Sequence, residues 1–248
     1  MRTTAIIQAR MGSTRLPGKV MLPLNGISLL EHVVHRVDVA TTVDDVVVAT
    51  TFHKPDDMVA RYAREAGATV YRGSEDDVLG RMHAAATKND SDIVVRVTAD
   101  NPFVPPALVD EAVGTVARGD AAYTSNKLNR TFPLGLDAEA FTSESFTTVE
   151  RIARDPHHRE HVTPYYHEHP AEFDAVNLTV EDVYNEAVFD AGPELRMTLD
   201  ELDDYEAYRT VYEELAYDTI VDEREAVTYL QEAGLDSINE SVNQKTNY

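Results

Sequence analysis

Ala5-Ile-Ile-Gln-Ala-Arg-Met-Gly-Ser-Thr-Arg-Leu-Pro-Gly-Lys19 runs a short apolar segment straight into a loop rich in glycine and positive charge. Ala5, Ile6 and Ile7 show no polar alternation, the pattern of a central strand covered on both faces. Gly12 and Gly18 let the following loop bend and bring backbone N–H groups close to a ligand. Arg10, Arg15 and Lys19 add three cations within ten residues, in a chain whose formal net charge is -22. Converging N–H groups and cations suit a polyphosphate, so the stretch reads as a nucleotide-phosphate site. It is not a Walker A loop. Five residues rather than four separate Gly12 from Gly18, and Val20, not a hydroxyl residue, follows the lysine. No G-x-G-x-x-G occurs, so the dinucleotide fingerprint is also absent.

Outward from this loop, strands and helices alternate. Ser28-Leu-Leu-Glu31 is a capping box opening a helix to about Val39. Strands are expected at 44–50, 69–71, 92–98 and 120–124. Helices are expected at 55–66, closed by Gly67 as a left-handed cap, from a capping box at Ser74–Asp77 to Lys88, and at 105–118. That rhythm predicts an α/β fold, a Rossmann-like and mostly parallel sheet flanked by helices, with right-handed crossovers. Residues 126–192 break the pattern and read as an α+β insert that binds an acceptor and helps form a dimer. A return strand at Arg196–Leu199 and helices near 202–216 and 222–233 complete a single domain over 1–236, with 1–125 as its nucleotide-binding half. Residues 237–248 read as a polar tail.

Composition excludes several classes of function. There are 44 Asp and Glu against 22 Lys and Arg, and only five of those cations are lysines. Acid spread along a chain that is 43% hydrophobic is not a disordered tail. It reads as an acidic surface suited to high salt, the alternative being an acidic face for a basic partner. No basic stripe exists to neutralise a nucleic-acid backbone. The absence of cysteine excludes disulfides, thiolate metal sites and cysteine nucleophiles. No apolar run approaches membrane-spanning length and no signal peptide is visible, so a cytoplasmic address is expected.

In open α/β sheets, ligands sit beyond the carboxyl ends of the strands. Asp100 follows the strand Val94-Val-Arg-Val-Thr98 and therefore faces the same crevice as the loop. A carboxylate beside a triphosphate calls for a cation between them, and Mg2+ takes one or two carboxylates together with phosphate oxygens. Asp200 stands at a second expected strand end, and Asp204 in the first turn of the next helix. Thr50 and Thr51, at the end of another strand, are candidates for the base or ribose. Five of the nine histidines lie in 126–192, but His157-His-Arg-Glu-His161 lacks the H-E-x-x-H order of a zinc protease.

Gln8-Ala-Arg-Met-Gly-Ser-Thr-Arg-Leu-Pro-Gly-Lys19 resembles the signature loop of the sugar cytidylyltransferases, which make CMP-nonulosonic acids and CMP-Kdo, and in particular the SpsF-like branch. Segments at Arg72–Leu79, Arg96–Pro102, Gly135–Glu139, Arg159–Thr163 and Arg196–Asp200 agree in order, so the likeness covers about residues 1–215. Gln8 stands where the family more often has proline. The resemblance implies CTP and Mg2+ as reactant and cofactor, a small anionic sugar as acceptor, and a homodimer. It implies Ala9, Arg10, Met11, Gly12, Ser13, Arg15, Lys19, Arg72 and Asp100 as nucleotide-binding residues, with Arg10, Lys19 and Asp100 catalytic and Asp100 and Asp200 as metal ligands. Arg159, His161 and Arg196 would hold the sugar's carboxylate, while Asn126, Asp137 and Glu139 would bind its hydroxyls. The expected reaction is transfer of CMP to a sugar acid with release of pyrophosphate. The alternatives are another sugar nucleotidyltransferase, a GT-A-type glycosyltransferase, or a nucleotide-binding protein without catalysis.

Overall fold

The structure is a computed structural model and describes residues 1–189 and 192–236; the expected tail at 237–248 lies outside the described residues. In chain order, β1 (Thr3–Gln8) leads through the loop to a 3-10 turn at Lys19–Met21 and a small hairpin of β2 (Pro23–Leu24) and β3 (Ile27–Ser28). There follow α1 (Leu29–Asp38), β4 (Asp45–Thr51), α2 (Asp56–Glu65), β5 (Thr69–Gly73), α3 (Val78–Lys88), β6 (Ile93–Thr98), α4 (Pro106–Ala117) and β7 (Tyr123–Ser125). The remainder comprises β8 (Glu139–Thr142), α5 (Ser143–Ile152), α6 (Pro156–His161), α7 (Pro164–Glu168), β9 (Val176–Asn177), α8 (Val180–Tyr184), α9 (Leu202–Glu214) and α10 (Glu223–Glu232).

Among the described residues, seven strands form one mixed sheet in the order β5-β4-β1-β6-β8-β7-β9. β1 lies between β4 and β6, parallel to both, which explains its unbroken apolar run. β8 enters antiparallel between β6 and β7, so the 126–192 segment extends the nucleotide half's sheet rather than forming a separate one. Alternate β1 residues feed two cores. Ala5 and Ile7 pack with α1, α4 and α9, whereas Ile6 packs with Val78, Leu79 and Met82 of α3. No helix among the described residues is long and apolar enough to cross a membrane.

Local signals explain most element boundaries. Ser28 and Glu31 form the expected capping box of α1, and Gly67, at a φ of 92°, follows α2. Two expectations are corrected. α3 begins at Val78 with Asp77 as its cap, because the Asp77 carboxylate accepts the Gly80 N–H at 2.9 Å; Ser74 accepts only from the Asp77 N–H. The return strand at Arg196–Leu199 does not form. Its N–H groups go to two different segments, Met197 to the Leu134 carbonyl and Leu199 to the Asp100 carbonyl, so no ladder can extend beyond a single bridge. Gly135 makes this close approach possible. Its φ is 97°, and a Cβ there would lie 2.6 Å from the Thr198 nitrogen.

Candidate active site

A polar cleft of about 730 Å³ opens at the carboxyl ends of β1 and β6, the place where the parallel part of the sheet predicts a ligand. The glycine loop forms one wall. Its turn is closed by the Ser13 and Gly18 N–H groups, both donating to the Met11 carbonyl, while the Met11 N–H donates to Asp56 at 2.7 Å. Gly18, at a φ of 74°, then turns the chain so that Lys19 points inward.

Lys19 is the hub of the cleft. Its ammonium donates to Asp100 at 2.7 Å, to Asp200 at 2.8 Å and to the Leu199 carbonyl at 2.9 Å. Burial pulls its pKa down, but Asp100 and Asp200 outweigh that and leave it raised. Burial opposes ionisation of Asp200 too, yet Lys19, Arg196 and Arg15 hold its carboxyl down at about 2. Arg15 reaches Asp200 at 2.8 Å, and Arg196 donates to Asp200 at 2.5 Å and to Asp204 at 3.3 Å. Asp204 sits in the first turn of α9, fully buried, and accepts the Asp200 and Glu201 N–H groups. Asp100 and Asp200 thus converge on one point from segments a hundred residues apart. Two hard carboxylate donors at the edge of a cleft are a donor set that suits Mg2+. Among the described residues no cluster of three or more His, Asp or Glu is arranged as a self-sufficient metal cage, the 157–161 histidines included.

The structure divides the other expected site residues. Ala9, Arg10, Gly12, Ser13, Asp137, Glu139, His161 and Arg196 line the cleft together with Arg15, Lys19, Asp100 and Asp200. Arg10 pairs with Glu75 at 3.2 Å, and Asp137 receives two bonds from Arg130. Burial lowers the pKa of His161. Glu139 is only 2% exposed, and its oxygens are engaged by Arg96, Tyr123, Lys127 and His167; burial opposes its charge, but Lys127 and Arg96 keep it well below the usual carboxylate range.

Six expected residues are not part of the cleft lining. Arg72 turns outward to Asp57 and to the Thr51 and His53 carbonyls. Arg159 ties the α3 cap, Asp77, to Glu150 of α5. Asn126 is fully buried, donating to the Leu136 carbonyl and accepting from the Ala138 N–H. Thr50 is fully buried, and Thr51 donates its hydroxyl to Asp56. Met11 contributes loop backbone without lining the cleft.

Residues 4–237 match a family model described as cytidylyltransferase. The chain belongs to the cytidylyltransferase family. It is 35% identical over 230 residues to the spore coat polysaccharide biosynthesis protein SpsF of Bacillus subtilis, covering 91% of this chain and 92% of that one. Against the 3-deoxy-manno-octulosonate cytidylyltransferase of Geobacter sulfurreducens it is 38% identical over 123 residues, about half of each chain (49% and 48%). The solved structure of a cytidylyltransferase from Leptospira borgpetersenii superposes with a TM-score of 0.87 at 29% identity, over 98% of this chain and all of the other. The protein is therefore a CTP-dependent nucleotidyltransferase of the SpsF-like kind, on the fold its neighbours share.

Sequence reasoning missed several residues lining the cytidylyltransferase cleft, among them the Gln8 side chain, Arg81, Arg96, Lys127 and Arg130. One signal was available. In Val78-Leu-Gly-Arg-Met82 the arginine occupies the apolar stripe of its helix, and a charge on a buried face needs a partner.

Proposed function

We propose that this cytidylyltransferase activates a sugar acid of the nonulosonic type with CTP, giving a CMP-sugar for surface polysaccharide or glycan assembly, and pyrophosphate. The observation that carries the reading is the Lys19 ammonium held between Asp100 and Asp200 at the foot of a cleft overlooked by Arg10 and Arg15. In the reaction, the sugar's anomeric hydroxyl attacks the α-phosphorus in line. A new P–O bond forms as the bond to the β-phosphate oxygen breaks, and the hydroxyl proton passes to solvent. Such chemistry depends on positioning and charge neutralisation rather than covalent catalysis.

Lys19, Arg15 and the loop N–H groups neutralise charge growing on the leaving pyrophosphate. Asp100 and Asp200 would hold Mg2+, which when bound supplies positive charge between carboxylates and phosphates and acidifies a hydroxyl it touches. Asp137, His161 and Arg196 are the acceptor-side candidates that line the cleft. Arg196 suits a carboxylate because its planar fork matches two oxygens. The acidic composition supports operation at high salt, and the family resemblance supports a homodimer working in the cytoplasm on small molecules, without nucleic acid or membrane as partner.

The test is pyrophosphate release from CTP and Mg2+ at high salt across a panel of nonulosonic acids and Kdo. Release with a single sugar identifies the acceptor along with the reaction. Turnover only with neutral sugars or their phosphates would remove the sugar-acid assignment, and turnover only with another nucleoside triphosphate would remove the cytidylyl one.

A further inference from the structure

Asp200 stands at the edge of the cleft, yet no strand carries it there. The segment 196–200 forms one isolated bridge, Leu134 with Arg196, so no ladder register fixes the carboxylate. α9 supplies the anchors that a strand would have given. Tyr208 donates its hydroxyl to the Arg196 carbonyl at 2.9 Å. One turn earlier, a single oxygen of Asp204 accepts the Asp200 N–H at 2.7 Å and the Glu201 N–H at 2.8 Å. The other oxygen takes Arg196 Nε at 3.3 Å, while the far end of the same guanidinium holds the Asp200 carboxylate at 2.5 Å.

An acid at the third helical position ordinarily serves the N–H of the capping residue. Asp204 does more. It is fully buried, its bond to Asp200 reaches one residue beyond the cap, Glu201, and it shares an arginine with the carboxylate whose backbone it holds. That sharing bears on metal binding. Asp200 meets three cations, Lys19 and Arg15 on one oxygen and Arg196 on the other. A carboxylate so surrounded has less charge to give a metal, and Asp204 takes up part of what Arg196 brings.

We infer that Asp204 is a positioning residue for the divalent cation: it fixes the backbone of Asp200 and draws Arg196 off its carboxylate, which leaves Asp200 the stronger ligand. The inference rests on the proposed use of Asp100 and Asp200 as the Mg2+ pair. Asp204 does not line the cleft and acts only through Asp200 and Arg196.

The test is the gain in CTP affinity that Mn2+ confers on the full chain. It is read from calorimetric titrations with CTP in EDTA and with CTP plus Mn2+, both without acceptor. Asp204→Asn keeps an oxygen for the two N–H groups and removes the charge facing Arg196. It should leave metal-free CTP affinity within about twofold and cut the Mn2+ gain about tenfold, the lower end of what an outer partner of a metal ligand is worth. A purely structural role would weaken both titrations alike. In an Arg196→Gln background no charge remains to be shared, so the same change should alter the gain by less than about twofold. An undiminished gain in Asp204→Asn, equal weakening with and without metal, or a tenfold loss that persists in the Arg196→Gln background would each overturn the role of Asp204. Asp200→Asn separates these outcomes from failure of the metal reading. A gain there as large as in the wild type, or no gain in the wild type itself, removes Asp200 as a ligand and the role of Asp204 with it.

Discussion

At the scale of single residues, one ammonium decides the behaviour of the cleft. Lys19 keeps two carboxylates from repelling each other and presents the same charge to any phosphate that arrives. Replacing it with methionine keeps the chain length and removes the charge. Pyrophosphate release should then fall by roughly 10²–10³, the loss typical of one preorganised electrostatic group. Activity within a few-fold of wild type, measured on a variant with a normal melting profile, would displace Lys19 from the mechanism. Lys19 and Asp100 were readable in the sequence because each lies at a position fixed locally, in a glycine loop or just past an apolar run; Asp200 came from the family resemblance and from a strand that does not form. Arg72 and Arg159 were not. A long arginine goes to whichever carboxylate the tertiary fold brings near, here Asp57 and Asp77, and that choice leaves no local trace.

At the scale of elements, the helices behind the sheet are joined by polar groups in an otherwise apolar layer. Arg36 of α1 is 1% exposed and donates to the Val104 and Val221 carbonyls and to Glu223 of α10. Arg36→Met would leave the Glu223 carboxylate buried without its cation and should cost about 3 kcal/mol in urea unfolding. Activity per folded molecule should be retained; a stability loss below about 1 kcal/mol would mean that the clamp adds little net stability. His32, one turn earlier on α1, donates from Nε2 to the Leu24 carbonyl and packs on Tyr212. Burial lowers its pKa from 6.5 to about 4. The unfolded chain therefore takes up a proton below pH 6.5 that the folded chain refuses until about pH 4. This contribution is fully present above pH 6.5 and is lost as pH falls toward 4, by about 3 kcal/mol. His32→Gln keeps a donor for Leu24 and cannot titrate, so its stability should be flatter across that window; an identical pH profile would rule His32 out as the cause. The α/β alternation was legible because capping boxes and apolar runs are local signals. The missing 196–199 strand was not, because its N–H partners, Leu134 and Asp100, are distant in sequence.

At the scale of the whole molecule, charge is partitioned. Among the described residues, eight Lys and Arg line the cleft against five carboxylates, so a positive enclave sits within a chain of net charge -22. Such an enclave concentrates an anionic nucleotide, while the rest of the surface is left with more carboxylates than cations. The surface ion pairs are individually weak, and 22 cations cannot pair with 44 carboxylates. The excess repels itself, and repulsion between exposed charges is what salt screens, over a Debye length of about 10 Å at 0.1 M and about 3 Å at 1 M. Salt also weakens the exposed pairs, but repulsion among the unpaired acids outweighs those few attractions. Raising KCl from 0.1 M to 2 M should therefore raise Tm at pH 7, with most of the gain below 1 M, where the screening length shortens fastest. Differential scanning calorimetry in KCl rather than sulfate keeps general salting-out from supplying the effect. A Tm that stays flat or falls over that range would mean that the acidic surface is not under net repulsion, and its excess charge would then need a basic partner to explain it.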